Sequence, residues 1–215
     1  MERRKALRNM GLALGYTVAT PTLLSIMQSC QNETVLEWTP DFFTPDQGSV
    51  LTKLVDIIIP KTDTPSASET QVHLFIDRFT DQVMEPQQQD FVKMSLGRFM
   101  EKALKDSNKE KAGELTAEEL EPVLAAALKA TPENQTKNFE AIQQYQEAIS
   151  EGQEALLDDT ISRFAFANNL RGLTIMGYKT SEFVGEEVLA YLPVPGEYIP
   201  CGDLQELTGG KAWSI

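Results

Sequence analysis

The sequence predicts a mainly α-helical protein, a bundle of about five to seven helices followed by a long irregular C-terminal region rich in Gly and Pro. Three observations support this fold class. Apolar residues recur at spacings of three and four along most of residues 44–175, which is the period of one helix face. Helix-start signals precede several of these stretches. We find no convincing alternation of apolar and polar residues of the kind that marks a half-buried strand.

The first helix of the bundle has a clear beginning and end. Thr44 is suited to the N-cap, Pro45 to the first helical position, and Gln47 completes a capping box. Its apolar face consists of Val50, Leu51, Leu54, Val55 and Ile58. Pro60 ends the helix, and residues 60–68 contain turn formers without apolar periodicity, so we expect a loop there.

Five further stretches are predicted to be helical: 72–83, 86–103, 117–128, 132–153 and 156–175. Thr116 and Glu119 form a capping box before the third of them. The fourth is mostly polar with a thin apolar stripe, so we expect a partly exposed helix. Phe75, Phe79 and Phe164 are expected in the core. The side chains expected in the core of the stretch 86–103 are Phe91, Met94, Phe99 and Met100.

The C-terminal fifth contains many glycines and prolines, which predicts an ordered loop region. A length of 215 residues fits one domain with an appendage. We therefore expect an export signal over residues 1–30, a tether over 31–43 and a single helical domain over 44–215.

The charge pattern argues against binding to nucleic acid. Of 19 basic and 32 acidic residues, four and one respectively lie in the first thirty positions, which leaves 15 against 31 in the body. Such an acidic body repels phosphate backbones and anionic lipid headgroups. Any membrane contact is therefore expected only through the N-terminal signal or a lipid anchor.

The N-terminus resembles a twin-arginine export signal. Arg3 and Arg4 are followed by a variable residue, two apolar positions and Arg8, and no charged side chain occurs between Asn9 and Asn32. That uncharged stretch is only mildly apolar, which suits this type of signal better than a membrane-spanning helix. A general secretion signal and an uncleaved anchor are the open alternatives. A twin-arginine signal implies a periplasmic or cell-envelope location and a passenger that is exported already folded.

Cys30 directly follows the apolar stretch and a small residue, as in a lipobox, although Met27 and Gln28 match that pattern poorly. If Cys30 is lipidated, it tethers the chain to a membrane surface, and Cys201 then has no intramolecular partner. The alternatives are a chance cysteine near another cleavage site, or a disulfide between Cys30 and Cys201 in an oxidising compartment.

The sequence lacks the usual catalytic signatures. His73 is the only histidine, so paired Glu-x-x-His motifs cannot occur, and a zinc site would need partners that are not nearby. No Gly-x-Gly-x-x-Gly, Cys-x-x-Cys-His or Gly-x-Ser-x-Gly motif is present. We therefore expect no catalytic, cofactor-binding or metal-binding residues in this chain. We also expect that the chain is not an enzyme by itself.

Four segments together resemble the gluconate 2-dehydrogenase subunit 3 family, the small or gamma subunit of membrane-associated sugar dehydrogenases. They are LVDIIIPKTDTPSA at 54–67, FIDRF at 75–79, NLRGLTIMGYKTSE at 169–182 and VPGEY at 194–198. The likeness spans roughly residues 44–202. Ser66 stands where the family commonly has glycine.

The resemblance implies an accessory role. It implies a large partner subunit of the glucose–methanol–choline oxidoreductase type, which holds FAD and oxidises a sugar or polyol, and a cytochrome c subunit as a further partner. This chain would stabilise the flavoprotein and supply its export signal. The competing hypothesis is a stand-alone envelope lipoprotein that binds a carbohydrate or another envelope protein.

On this resemblance, the loop at 63–65, the segment 171–181 and the turn at 195–198 are expected to face the partner. The expected surface residues are Asp63, Thr64, Pro65, Arg171, Gly177, Tyr178, Ser181, Pro195, Gly196 and Tyr198. Four of them have a structural alternative. The Asp63 side chain would cap its own turn, Arg171 would form an internal salt bridge, and Gly177 and Gly196 would serve backbone geometry alone.

Overall fold

The computed structural model describes residues 38–192, 194, 196, 199 and 201–214. The predictions for Arg3, Arg4 and Cys30 lie outside these residues. Within them the chain forms seven α-helices and no strand, which confirms the mainly α fold class. The helices are α1 (Pro45–Ile58), α2 (Val72–Gln82), α3 (Pro86–Ser107), α4 (Ala117–Leu128), α5 (Pro132–Ser150), α6 (Asp159–Lys179) and α7 (Leu204–Thr208). A 3₁₀-helix covers Ala112–Glu114, a π-helix covers Val184–Val188, and Ala190 pairs with Trp213 in an isolated bridge.

Helix α6 is the central element of the bundle and packs against each of α1 to α5. Its residues Phe164, Ala165, Phe166 and Ala167 are consecutive and all buried, so the helix is covered on more than one face. The ring of Phe166 lies 5.0 Å from that of Phe99, a fully buried residue of α3. The bundle therefore has one core, built around the contact between α3 and α6.

Local start signals set several helix boundaries as predicted. The capping boxes of Thr44 with Gln47 and of Thr116 with Glu119 are both present. Helix α3 extends four residues beyond its predicted end and is terminated by Asn108, whose φ of 54° is left-handed. Asparagine tolerates this conformation better than most residues, which makes it a suitable helix stop.

The predicted start of the last long helix at residue 156 is wrong. Leu156 is fully exposed, and the helix begins at Asp159 because the Asp158 carboxylate accepts hydrogen bonds from the backbone N–H groups of Thr160 and Ile161. These bonds satisfy two of the helix's free donors, and they hold the pKa of Asp158 below its usual value. An aspartate N-cap therefore overrides the apolar pair that precedes it.

Several side chains expected in the core are only half-buried. Phe99 and Phe164 are buried as predicted, whereas Phe75 and Phe79 are half-buried. Phe91, Met94 and Met100 of α3 are also half-buried. Phe91 is half-buried because helix α5 covers α3 incompletely. Tyr145 of α5 contacts the Phe91 ring, but α5 buries none of its own residues.

The segment 38–43, which is the described end of the predicted tether, is fixed to the domain by Asp77. This carboxylate is 1% exposed and accepts backbone N–H bonds from Asp41 at 2.7 Å and from Phe42 and Phe43 at 3.1 Å each. Charge-assisted bonds of this kind are stronger than neutral ones. Asp77 therefore attaches the beginning of the described chain to α2.

Within the described residues, no helix is both long enough and apolar enough to cross a membrane.

Candidate partner-binding surface

The loop between α1 and α2 is held in place by Asp56, a half-buried residue near the end of α1. Its carboxylate accepts the backbone N–H of Ser68 at 2.7 Å and the Ser68 hydroxyl at 2.6 Å. Further along, the N–H of Ala67 donates to the carbonyl of Ile59 at 3.1 Å. These bonds fix the loop to the helix from which it emerges.

Ser66 and Glu69 form a capping box inside this loop. The Ser66 N–H donates to the Glu69 carboxylate at 2.8 Å, and the Glu69 N–H reaches the Ser66 hydroxyl at 3.4 Å. Lys61 forms an ion pair with the same carboxylate. The bond from Lys61, followed by that from Ser66, holds the pKa of Glu69 below its usual value. The backbone at Ser66 is not left-handed, so its conformation does not require the glycine that the family commonly has there.

The end of α6 is bonded directly to this loop. The Tyr178 hydroxyl donates to the carbonyl oxygen of Pro65 at 2.9 Å, across 113 positions of sequence. One residue earlier, Gly177 is buried against α2. A Cβ atom at this position would lie 2.6 Å from Cδ1 of Phe75, so only glycine allows this close approach without a shift. Two of the segments singled out in the sequence thus form one continuous surface.

Asp63, Thr64, Pro65, Tyr178 and Ser181 all belong to this surface or its edge. Asp63 is exposed, and no described residue hydrogen-bonds its carboxylate. Its turn is closed instead by the bond from the Thr62 N–H to the Thr64 carbonyl, at 3.0 Å. The alternative in which Asp63 caps its own turn is therefore wrong.

Arg171 lies apart from the surface. It is exposed and two turns before Tyr178 on α6, and its guanidinium donates to the side-chain oxygen of Asn168 at 2.9 Å. Arg171 therefore bonds a neutral amide, and no described carboxylate forms the internal salt bridge that was its structural alternative. Gly196 is exposed with open space around it, whereas Pro195 and Tyr198 lie outside the described residues.

Two neighbouring grooves run along the surface. One, of about 460 Å³, lies between α2 and the end of α6 and includes Phe75, Phe79 and Gly177. The other, of about 400 Å³, lies between the loop and the residues after α6, including Pro65 and Phe183. The grooves share the residues Thr70, Gln71 and Ser181. Gln71 has a left-handed φ of 60°, an uncommon conformation for a residue other than glycine.

Exposed apolar side chains surround the end of α6, and none of them was named individually in the predicted surface, although the segment 171–181 includes two of them. Ile175, Met176 and Phe183 are 44%, 39% and 52% exposed. The sequence indicates the exposure of Ile175 and Met176, because the buried face of the helix is formed by Leu173, Thr174 and Gly177 on either side of them. The exposed apolar residues continue into the C-terminal region as Tyr191, Leu192, Val194, Ile199, Leu204, Leu207 and Trp213.

Within the described ranges, no three His, Cys, Asp or Glu side chains come together in a way that could hold a metal ion. Cys201 is exposed and has no disulfide partner among the described residues.

The fold and this surface define a helical bundle with an exposed apolar face built from two distant parts of the chain. A family model for gluconate 2-dehydrogenase subunit 3 matches residues 45–196, and the chain belongs to this family. The family is described as a subunit of a dehydrogenase, and the match includes both the loop after α1 and helix α6. No curated protein and no solved structure gives a significant match.

Replacing Tyr178 with Phe is expected to lower the free energy of unfolding by about 1 kcal/mol, the typical net contribution of one hydrogen bond. The substitution removes only the hydroxyl that donates to Pro65. Urea unfolding followed by far-UV circular dichroism measures the change. Tyr191→Phe is the matched control, because no described residue bonds the hydroxyl of this half-exposed tyrosine. Equal midpoints for the two variants would contradict the assigned bond.

Proposed function

We propose that this chain is the non-catalytic accessory subunit of an FAD-dependent dehydrogenase of the glucose–methanol–choline type, acting on a sugar or polyol. The observation that carries the proposal is the bond between Tyr178 and Pro65, which joins two family segments into one surface. Membership of a dehydrogenase-subunit family supplies the kind of partner.

The surface has the properties of a protein-binding site. Specific interfaces combine an apolar centre with a polar rim, and here the exposed ring of Phe183 lines the groove that also contains Thr70, Gln71 and Ser181. Its backbone is prepared for binding, because Asp56 and Tyr178 hold the loop before any partner arrives. A surface that is already ordered loses less conformational entropy on association.

The family resemblance suggests how the chemistry is divided. FAD and the sugar-oxidising groups belong to the large subunit, and a cytochrome c subunit passes the electrons onward. The present chain stabilises the large subunit by covering part of its surface. Its own residues hold the docking loop and present the apolar contacts.

The N-terminus gives the complex its location. We propose that the paired arginines Arg3 and Arg4 direct the chain to the twin-arginine route, and that the folded flavoprotein is exported bound to it. The mature complex then lies in the periplasm or cell envelope. Lipidation of Cys30 would add an anchor to the membrane surface.

An affinity capture from the native envelope fraction tests the proposal. The chain carries a C-terminal tag, and the eluate is examined by gel and by flavin absorbance. We expect a large flavoprotein in near-stoichiometric amount, with dye reduction driven by a sugar or polyol. A colourless eluate that contains this chain alone would overturn the proposal and favour the stand-alone envelope lipoprotein.

A further inference from the structure

We propose that a cavity between α2, α3, α5 and α6 is a binding site for a small uncharged ring compound. The cavity measures about 350 Å³ and is partly enclosed. Its floor is formed by Ala165 and Phe166 of α6, and its walls include Phe91 of α3 and Phe139 of α5. This site is distinct from the partner-binding surface, with which it shares only Phe79 and Val83, and the inference does not depend on the proposed function.

The size of the cavity suits a small molecule. Ligand pockets in proteins span about 300–1,000 Å³, and an apolar cavity of about 150 Å³ already binds benzene. A volume of about 350 Å³ therefore accommodates a compound of about two fused rings.

The chemistry of the walls defines the class of ligand. None of the residues that line the cavity is charged, in a chain of which 24% is charged and whose net charge is −13. A charged ligand would lose its hydration here without gaining an opposite charge, which is unfavourable. Phenylalanine rings on four helices provide apolar contact for a planar ring. These features favour a neutral aromatic compound.

Two amides at the rim provide polar contacts. Gln146 of α5 and Asn169 of α6 are exposed at the edge of the cavity, and no described residue hydrogen-bonds their side chains. A carboxamide can both donate and accept hydrogen bonds. The ligand therefore carries at least one carbonyl, hydroxyl or N–H group that faces this edge.

The packing of α5 explains why the cavity is present. This helix buries none of its residues, and its half-exposed Phe139 meets the buried Phe164 of α6 at 5.3 Å between ring centroids. A second pair, Phe91 and Tyr145 at 5.8 Å, joins α5 to α3. Between the two contacts the helices remain apart, and a ligand placed there would give α5 the apolar contacts it lacks.

A pair of matched fluorescent probes tests the site on the purified full chain. N-phenyl-1-naphthylamine is uncharged, and 8-anilino-1-naphthalenesulfonate has the same ring system with one added sulfonate. We expect saturable binding of the neutral probe near one per chain, and binding of the sulfonated probe that is weaker by about tenfold or more.

Two tryptophan variants locate the bound probe. Gln146→Trp places a large ring over the cavity and should weaken binding of the neutral probe by about fivefold or more. Gln144→Trp makes the same change at an exposed position of α5 that does not line the cavity, and it should leave binding unchanged.

Three results would overturn the proposal. One is no saturable uptake of the neutral probe, and another is equal affinity for the two probes. The third is equal binding by the two tryptophan variants, which would place the probe on the exposed apolar residues near α6. A second copy of the chain is the other candidate occupant of the cavity, and sedimentation of the same sample detects it. A dimer that does not bind the probe would assign the cavity to that second copy and would also overturn the proposal.

Discussion

Replacing Asp77 with alanine is expected to lower the free energy of unfolding by about 3 kcal/mol, because three buried or partly buried backbone donors lose a charged acceptor. Three N–H groups, from Asp41, Phe42 and Phe43, donate to this carboxylate. The exposed ion pair between Arg78 and Asp41, at 3.8 Å, contributes little and cannot hold the segment alone. Urea unfolding at neutral pH gives the change in free energy.

Fluorescence reports where the Asp77 variant changes. Trp38 packs edge-on against His73 with ring centroids 5.3 Å apart, so release of the segment should shift its emission to the red. A Trp213→Phe background leaves Trp38 as the sole tryptophan of the two in the chain. In the urea titration, the red shift of the Trp38 emission should occur at a lower urea concentration than the loss of helix content.

Two further substitutions make the Asp77 experiment specific. Asp77→Asn keeps one acceptor oxygen but places an N–H₂ group against a backbone donor, so its loss should be intermediate. Asp81→Ala removes an exposed carboxylate one turn later on α2 and should change stability by less than about 0.5 kcal/mol. If Asp77→Ala behaves like Asp81→Ala, the carboxylate does not hold the segment.

Local chemistry made most helix boundaries predictable. The capping boxes at Thr44 and Thr116 act within four residues, so sequence alone is sufficient to identify them. The same chemistry explains α7, which was predicted only as part of an irregular region. Asp203 caps its first turn, and Gly209 ends it with a left-handed φ of 65°. These two signals were visible in the sequence and were outweighed by the surrounding glycines and prolines.

Long-range contacts were less predictable, for a physical reason. Asp77 accepts only backbone N–H groups, and every residue except proline has one, so no partner residue type marks the contact. For the same reason, the bond from Tyr178 to the Pro65 carbonyl could not be derived from residue types. The resemblance placed both segments at one surface, and the structure supplies the atoms that join them.

Exposure at the end of α6 could be predicted only in part. Periodicity separates Ile175 and Met176 from the buried positions, but it does not tell whether another element covers them. Phe183 lies after α6 and immediately before the π-helix, so the 3.6-residue period of α6 does not identify it as exposed. The predicted segment 171–181 therefore contained Ile175 and Met176 without naming them, and Phe183 lay outside it.

Replacing Phe183 with Glu is expected to weaken binding of the proposed flavoprotein partner by about 30-fold, which corresponds to about 2 kcal/mol, the lower limit for a dominant interface residue. Phe183 is 52% exposed beside the groove that contains Pro65, and a carboxylate there would be desolvated without a partner when the interface closes. Titration of the purified flavoprotein with each variant measures the affinity.

The control for this experiment is Leu156→Glu, which makes the same change of charge at a fully exposed apolar residue before α6. The 21 residues of α6 separate it from Tyr178 by about 30 Å, so binding should be unaffected. Both variants should retain the urea midpoint of the unsubstituted chain, because neither side chain is buried. Equal affinity for the two variants would place the flavoprotein elsewhere, whereas weakening by Phe183→Glu alone would assign the end of α6 to the interface.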